Sequence, residues 1–355
     1  MKALVLSGGC GTRLRPITHT SAKQLVPVAN KPILFHALEA IASAGITDVT
    51  IVVGDTADEV RRAVADGGRF GLTVEYVRQR RPLGLAHAVL IARDALGEDD
   101  FVMYLGDNFV DHDVATITRQ FGQDGLAVRV LLARVPNPSS FGVAEVDADN
   151  RVIMLAEKPA RPRSSLALVG IYVFSPIVHE AVRHLSPSSR GELEITDAIQ
   201  WMVSSGAVVG AQLTCEFWRD AGTVAGVLDV NRVVLERIAP RLDGSVDAAS
   251  TIRGNVIVEP GALVRNSYVA GPAIIGSGCV ISDSFIGPAT SVAAQCRIES
   301  SRIESSIVFP GAFISGIAFI ERSLIGRNVR LTSSRNGPRA HRLVLGDHCK
   351  LELPV

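Results

Sequence analysis

From Ile257 onward the apolar residues keep a fixed spacing. Ile257, Leu263, Val269, Ile275 and Ile281 are six apart, and the series continues through Ile286, Val292, Ile298, Ile303, Val308, Ile314, Ile320, Ile325 and Leu331 at steps of five or six. Glycines stand between them at 254, 261, 271, 276, 287, 311 and 326. An α-helix repeats about every 3.6 residues and a strand every two, so neither produces this spacing. A hexapeptide repeat does. Each six residues make one short strand and one corner, and three such units close one coil of a parallel β-helix. Fourteen consecutive positions hold the register, which argues against a set of unrelated short strands in a sandwich. One repeat cannot bury its own apolar residue, so the coils must stack.

The chain up to Ile238 has a different rhythm. Lys2–Leu6, Val49–Val53, Val74–Val77 and Phe101–Leu105 read as buried strands. Helical patterns lie between them over Pro32–Ala44, from Ala57, and over Leu83–Leu96, with further helices at Glu192–Ser204 and Val224–Ile238. Strands alternating with helices predict an α/β domain on a mostly parallel sheet covered on both faces. Strand-like runs dominate from Leu126 to Phe174 and predict an antiparallel insertion that makes the sheet mixed. The expected organisation is a domain over 1–238, a polar linker over 239–250, and a β-helix over 251–355 whose tail, Thr332–Arg342, breaks the repeat.

The chain has 355 residues, with 36 basic and 36 acidic side chains. That balance gives no charge field for nucleic acid or a membrane surface. The five cysteines (Cys10, Cys215, Cys279, Cys296, Cys349) are odd in number and form no CxxC pair, which suits a reduced, cytoplasmic protein. No apolar run has the length of a membrane span.

The chemistry starts at the end of the first strand. Gly8, Gly9 and Gly11 are followed by Thr12, Arg13 and Arg15. The run lacks the GKS ending of a P-loop, and Leu14 stands where a dinucleotide fingerprint needs its third glycine. What is left is a turn whose backbone N–H groups can approach an anion, with guanidinium groups beside it. Further along come Lys23-Gln24-Leu25, Gln79 with Pro82-Leu83-Gly84-Leu85-Ala86, Leu105-Gly106-Asp107-Asn108, Glu157-Lys158-Pro159, Arg190-Gly191-Glu192-Leu193-Glu194-Ile195-Thr196-Asp197 and Trp218-Arg219-Asp220-Ala221-Gly222. Taken singly, each has an ordinary structural role: a Gly-Asp turn, a surface lysine, a core tryptophan, an acidic first helical turn.

In this order, across residues 1–238, they resemble the sugar-1-phosphate nucleotidyltransferases, and within them the thymidylyltransferases of the long form, which carry a C-terminal left-handed β-helix and occur in antibiotic deoxysugar pathways. The resemblance implies a Rossmann-like domain and a Mg²⁺-dependent transfer from dTTP to glucose-1-phosphate. It implies that Gly8, Gly9, Gly11, Thr12 and Arg13 hold the triphosphate, with Arg13 and Lys23 acting on the departing pyrophosphate. Gln79 and Gly84 would read the base; because thymine and uracil share an imide edge, UTP stays open as a donor. Lys158 would hold the attacking phosphate. Gly142, Glu157, Glu192 and Trp218 would line the sugar site, and Asp107 and Asp220 would share the cation, with hard carboxylate oxygens suited to it.

Three positions depart from the family pattern: Cys10 for a small Ala or Ser, His87 for glutamine, and Ala221 for threonine. Other readings remain open: a different sugar or cyclitol phosphate, a non-catalytic regulatory subunit, or a bifunctional acyltransferase, for which His341 and His348 are the histidines in or after the irregular tail. The broad faces of a β-helix predict a homo-oligomer, held through both domains.

Overall fold

The computed structural model describes residues 1–9, 11–111, 114–214, 217–334 and 343–354. Cys10, Cys215, His341 and most of the predicted break in the repeat lie outside the described residues. The chain divides into two compact units, residues 1–10 with 34–218, and residues 11–33 with 219–355.

In chain order the strands up to Asp220 are β1 (Lys2–Ser7), β2 (Pro27–Val28), β3 (Lys31–Pro32), β4 (Asp48–Val53), β5 (Thr73–Arg78), β6 (Phe101–Leu105), β7 (Asn108–Val110), β8 (Val128–Arg134), β9 (Gly142–Val146), β10 (Val152–Glu157), β11 (Leu166–Phe174), β12 (Val209–Leu213) and β13 (Trp218–Asp220). The helices are α1 (Ile33–Ser43), α2 (Ala57–Val64), α3 (Leu85–Ile91), α4 (Arg93–Leu96), α5 (Val114–Asp124), α6 (Val178–Arg183), α7 (Ile195–Ser204) and α8 (Val224–Glu236).

The first unit is built on one sheet of order β10-β9-β11-β6-β1-β4-β5, with β8 pairing β11 and β12 pairing β8. β1 runs parallel to β4 and β6, and β4 parallel to β5. β11 runs antiparallel to β6, β8 and β9. This is the mixed, mostly parallel α/β sheet with an antiparallel insertion that the pattern predicts. Ala3, Leu4, Val5, Phe101, Val102 and Met103 are wholly buried, so the central strands are apolar on both faces, as a doubly covered sheet requires.

Two helices differ from the sequence reading. The run Leu83–Leu96 is split at Ala92 into α3 and α4, because Ala92 leaves helical geometry (ψ 0°). α7 starts at Ile195 with extended Glu194 as its cap, so Glu192 precedes the helix and is not in its first turn.

The second unit carries the β-helix. Its short strands form three parallel sheets of seven, seven and five strands among the described residues. Val256–Val258 pairs with Ala273–Ile275, and Ala273–Ile275 with Thr290–Val292. Within 239–250, Arg241–Leu242 and Ser245–Val246 pair in parallel with the next coil, so the first coil starts inside the segment read as a linker. The buried column contains Val269 and every later member of the predicted series through Leu331. At its start, Val258 and Val264 are buried while Ile257 and Leu263 are half-buried. The reason is the coil length. Val258 pairs Ile275 and Val264 pairs Ile281, so a coil closes one residue short of three full hexapeptides, and counting back in sixes misses the inward position by one. Burying one such aliphatic side chain contributes roughly 1.5–3 kcal/mol.

Corners are held by serines. The Ser267, Ser284 and Ser301 hydroxyls each donate to the carbonyl two residues back. Each Oγ also accepts an N–H from the next coil: Ser284 on Ser267, Ser301 on Ser284, Ile317 on Ser301. Corner amides have no ladder partner, and the serines satisfy them in the interior, where an orphaned N–H is costly.

Candidate functional site

In the first unit, β1 ends at buried Ser7 and turns at Gly8. A Cβ on Gly8 would stand 3.3 Å from Gln79 Oε1, so glycine lets the turn close on that amide. Gly9 is exposed. Gln79 follows β5, and its Nε2 donates to the Gly84 carbonyl (3.1 Å) and contacts His87 Nδ1 (2.9 Å). Burial holds the His87 pKa below the usual imidazole value, which favours the neutral ring, able to accept that bond. His87 therefore takes part in orienting the predicted base reader. Gly84 has φ +102°, and a Cβ there would fall 2.3 Å from the Leu193 carbonyl; only glycine fits. Leu193 N–H donates to Leu83 (2.7 Å), and Leu193 accepts from Ala86 N–H (3.0 Å), which ties the base segment to the stretch before α7.

β6 delivers the Gly106-Asp107-Asn108 turn. Gly106 N–H donates to Leu6 (3.0 Å), and a Cβ at Gly106 would lie 2.9 Å from that oxygen. Asp107 is buried to 8 % exposure, low for a carboxylate. Trp218 is buried too. Its Nε1–H donates to Asn108 Oδ1 (2.8 Å), and its ring meets Phe141 edge-on at 5.3 Å. Trp218 therefore braces the Asp107 turn.

β10 ends at Glu157, opposite Gly142 of β9. A Cβ on Gly142 would come within 2.7 Å of Thr196 and 3.2 Å of Glu157 Oε2, so the glycine makes room for the carboxylate. Glu157 Oε1 lies 3.3 Å from Lys158 Nζ and 3.1 Å from Arg190 Nη1. Arg190 also holds Glu192 (2.9 Å) and approaches Glu194 (3.7 Å). Burial opposes the Arg190 charge, but Glu194, Glu192 and Glu157 outweigh it and its pKa is raised. Burial likewise raises Glu194, against a hydrogen bond from Ser188, and raises Asp197, with Glu157 adding to the effect. The structure thus brings Gly142, Glu157, Lys158 and Glu192 together and adds Arg190, Glu194 and Thr196. Arg190 is the residue the sequence reading left without a role; its signal was its place at the head of the Arg-Gly-Glu-Leu-Glu run, one helical turn's spacing before Glu194.

The second unit holds the remaining predicted residues. Gly11 (φ +61°) opens a 3-10 turn over Thr12–Leu14. A Cβ there would meet Thr18 at 2.9 Å and Lys23 at 3.0 Å, so the loop folds back on itself. Thr12 and Arg13 are exposed, and Lys23 is half-buried at the start of another 3-10 turn. Arg13 Nη2 donates to Asp220 Oδ2 (2.9 Å), and Asp220 Oδ1 accepts Gly222 N–H (2.7 Å). Thr223 then caps α8 by accepting Gly226 N–H (3.0 Å). Ala221 is buried. Asp220 Oδ2 already meets positive charge at Arg13, and Asp107 and Asp220 are hard oxygen donors. Each of these carboxylates, one in either unit, is by its own chemistry the kind of donor that suits a hard cation such as Mg²⁺. His348 is exposed, at positive φ in a coil turn.

Residues 2–237 match the family model described as nucleotidyl transferase. The chain is 59 % identical to a glucose-1-phosphate thymidylyltransferase of Streptomyces griseus over 353 residues, 99 % of each chain. It is equally identical, at 59 %, to one of Streptomyces antibioticus over 355 residues, again 99 % of each. A solved structure from Bacillus anthracis, described as a glucose-1-phosphate thymidylyltransferase in complex with sucrose, superposes with a TM-score of 0.62 at 35 % identity, covering 66 % of this chain and 94 % of that one. A family model that spans most of the α/β region, and relatives matched from end to end, agree with the glycine turn, the buried Asp107 and the Glu157–Lys158–Arg190 cluster: the chain belongs to the nucleotidyl transferase family.

Proposed function

We propose that the protein transfers a thymidylyl group from dTTP to glucose-1-phosphate, giving dTDP-glucose and pyrophosphate. The observation that carries this reading is the end-to-end similarity to the Streptomyces thymidylyltransferases, in a chain whose Arg13, Lys158 and Arg190 are each matched to a carboxylate. An oxygen of the sugar phosphate forms a bond to the α-phosphorus of dTTP, the bond from that phosphorus to the bridging β-oxygen breaks, and pyrophosphate leaves. The attacking oxygen is already ionised, so no general base is needed. Reactions of this kind are catalysed mainly by positioning and charge neutralisation.

Lys158 holds the attacking phosphate as a movable point charge, and Arg190, from the same cluster, steadies it. Glu157 and Glu192 accept hydrogen bonds from sugar hydroxyls, Gly142 leaves space for the ring, and Trp218 is a wall of that region. Gln79 and Gly84 meet the base edge. The amides of Gly8, Gly9, Gly11 and Thr12, with Arg13 and Lys23, bind the triphosphate and stabilise the leaving pyrophosphate. Asp107 and Asp220 would hold Mg²⁺, which when bound supplies charge neutralisation at the phosphates. The β-helix contributes to a homo-oligomer, to be checked by light scattering on a chain ending near residue 250. No helix among the described residues is long and apolar enough to cross a membrane, and the reading places the enzyme with its substrates in the cytoplasm.

The deciding assay follows pyrophosphate release with Mg²⁺, glucose-1-phosphate and each nucleoside triphosphate. Release with dTTP, lost in Asp107→Ala and Asp220→Ala, is the expected outcome. A preference for UTP would move the base assignment. No release with any donor would return the chain to a regulatory role or a different acceptor.

A further inference from the structure

We infer that the β-helix holds the triphosphate loop in place, with Asp347, Thr20 and Asn231 as positioning residues for Arg13 and Lys23. The inference rests on the reading that these two cations bind the triphosphate. Residues 11–33 belong to the unit formed with residues 219–355. The loop between Gly11 and Lys23 consists of isolated 3-10 turns of three residues. Such turns have little stability of their own and take their position from what anchors them.

One anchor is the corner at Gly346-Asp347. Asp347 Oδ1 accepts Arg327 N–H from the neighbouring coil (2.7 Å), which fixes the carboxylate. Its Oδ2 accepts the Thr20 hydroxyl (2.8 Å). Gly346 lies under Pro16, where a Cβ would come within 3.3 Å of the proline ring. Inside the loop, the Thr18 hydroxyl donates to Gly11 (2.6 Å) and carries the constraint to Arg13.

The other anchor is Asn231, fully buried on α8. Its Oδ1 accepts Ala29 N–H from the β2–β3 turn (2.8 Å) and the Ser291 hydroxyl (2.7 Å), and its Nδ2 donates to the Ala289 carbonyl (3.0 Å). Asn30 of the same turn donates to the Val292 carbonyl (2.8 Å). Asp220, the partner of Arg13, leads into α8 through the Thr223 cap. Both ends of the Arg13–Asp220 pair are therefore referenced to the β-helix, one through Thr20 and Asp347, the other through α8 and Asn231.

The test uses the full chain. Asn231→Ala would orphan the buried Ser291 hydroxyl and Ala289 carbonyl and can unfold this region, so the Thr20–Asp347 pair, nearer the surface, is decisive. Thr20→Val and Asp347→Ala should each raise the KM for dTTP roughly three- to tenfold, the worth of one hydrogen bond. The KM for glucose-1-phosphate and the melting temperature should stay unchanged, the double variant should be no worse than either single one, and Thr20→Ser and Asp347→Asn should restore the wild-type value. An unchanged KM for dTTP, or equal losses on both substrates without rescue, would overturn the inference. Amide hydrogen exchange over residues 11–33, measured without substrate, reads the anchoring independently. Faster exchange in Asp347→Ala supports it even in a chain that turns nothing over, an outcome that would sink the proposed reaction alone. Unchanged exchange overturns the anchoring whatever the activity.

Discussion

The α/β sheet and the β-helix bury aliphatic side chains by opposite routes. β1 sits between β4 and β6, so Ala3 pairs Val49 while Lys2 pairs Phe101; its neighbours come from distant parts of the chain. Every β-helix strand pairs with its counterpart one coil away, as Ile281 does with Ile298. A sheet assembled from distant segments ends in irregular turns, and those turns hold Gly8, Asp107 and the end of β10. A stack of near-identical coils has no such variety. Its departures from repetition are corners, and one corner, at Asp347, touches the loop that carries Arg13. Chemistry collects where connections differ, and regularity supplies the frame.

The sharpest way to separate the two regions is to damage each in turn. Ile298 is fully buried mid-stack. Ile298→Ala should cost about 2–5 kcal/mol, read by urea unfolding, with the KM for glucose-1-phosphate unchanged in the protein that remains folded. Because stability in such arrays is set between neighbours, exchange protection should fall first in the adjoining coils. Lys158→Ala should do the reverse, lowering kcat/KM about 10²- to 10³-fold with the unfolding midpoint unmoved. If each variant damaged both properties equally, the division of labour would be wrong.

Two smaller effects sharpen the contrast. Ser301→Ala leaves the Ile317 N–H without its acceptor inside the stack and should cost about 1–3 kcal/mol, visible as a lower melting temperature at full turnover. In the α/β unit the matching polar contact is His87 with Gln79. The His87 pKa is lowered by burial, so the neutral ring persists below the ordinary imidazole range. As pH falls through that lowered value the ring protonates and stops accepting from Gln79. Stability contributed by the neutral ring is present above the unfolded pKa of about 6.5 and is lost on acidification. The KM for dTTP should rise roughly two- to fivefold over that window, and His87→Gln should flatten the rise. A flat wild-type profile would remove His87 from base reading.

Much of this was legible from residue order alone, for a physical reason in each region. The β-helix announces itself because each coil repeats the same local demand, so an inward aliphatic position recurs along the chain. The alternation of strands and helices, and the positions of the glycine turn, Asp107 and Lys158 at strand ends, follow from local periodicity and from motifs with short spacing. Tertiary structure decided the rest. Val258 and Val264 replace Ile257 and Leu263 in the core because the coil closes one position short of three hexapeptides, a length set by pairing between coils. Arg190 joins Glu157 because β10 and the stretch before α7 meet in space, 33 residues apart in sequence. Trp218 reaches Asn108, and Thr20 reaches Asp347, across 110 and 327 residues. Contacts at such separations leave no periodic trace in a single sequence, because nothing local requires them; they exist only once the chain has closed on itself.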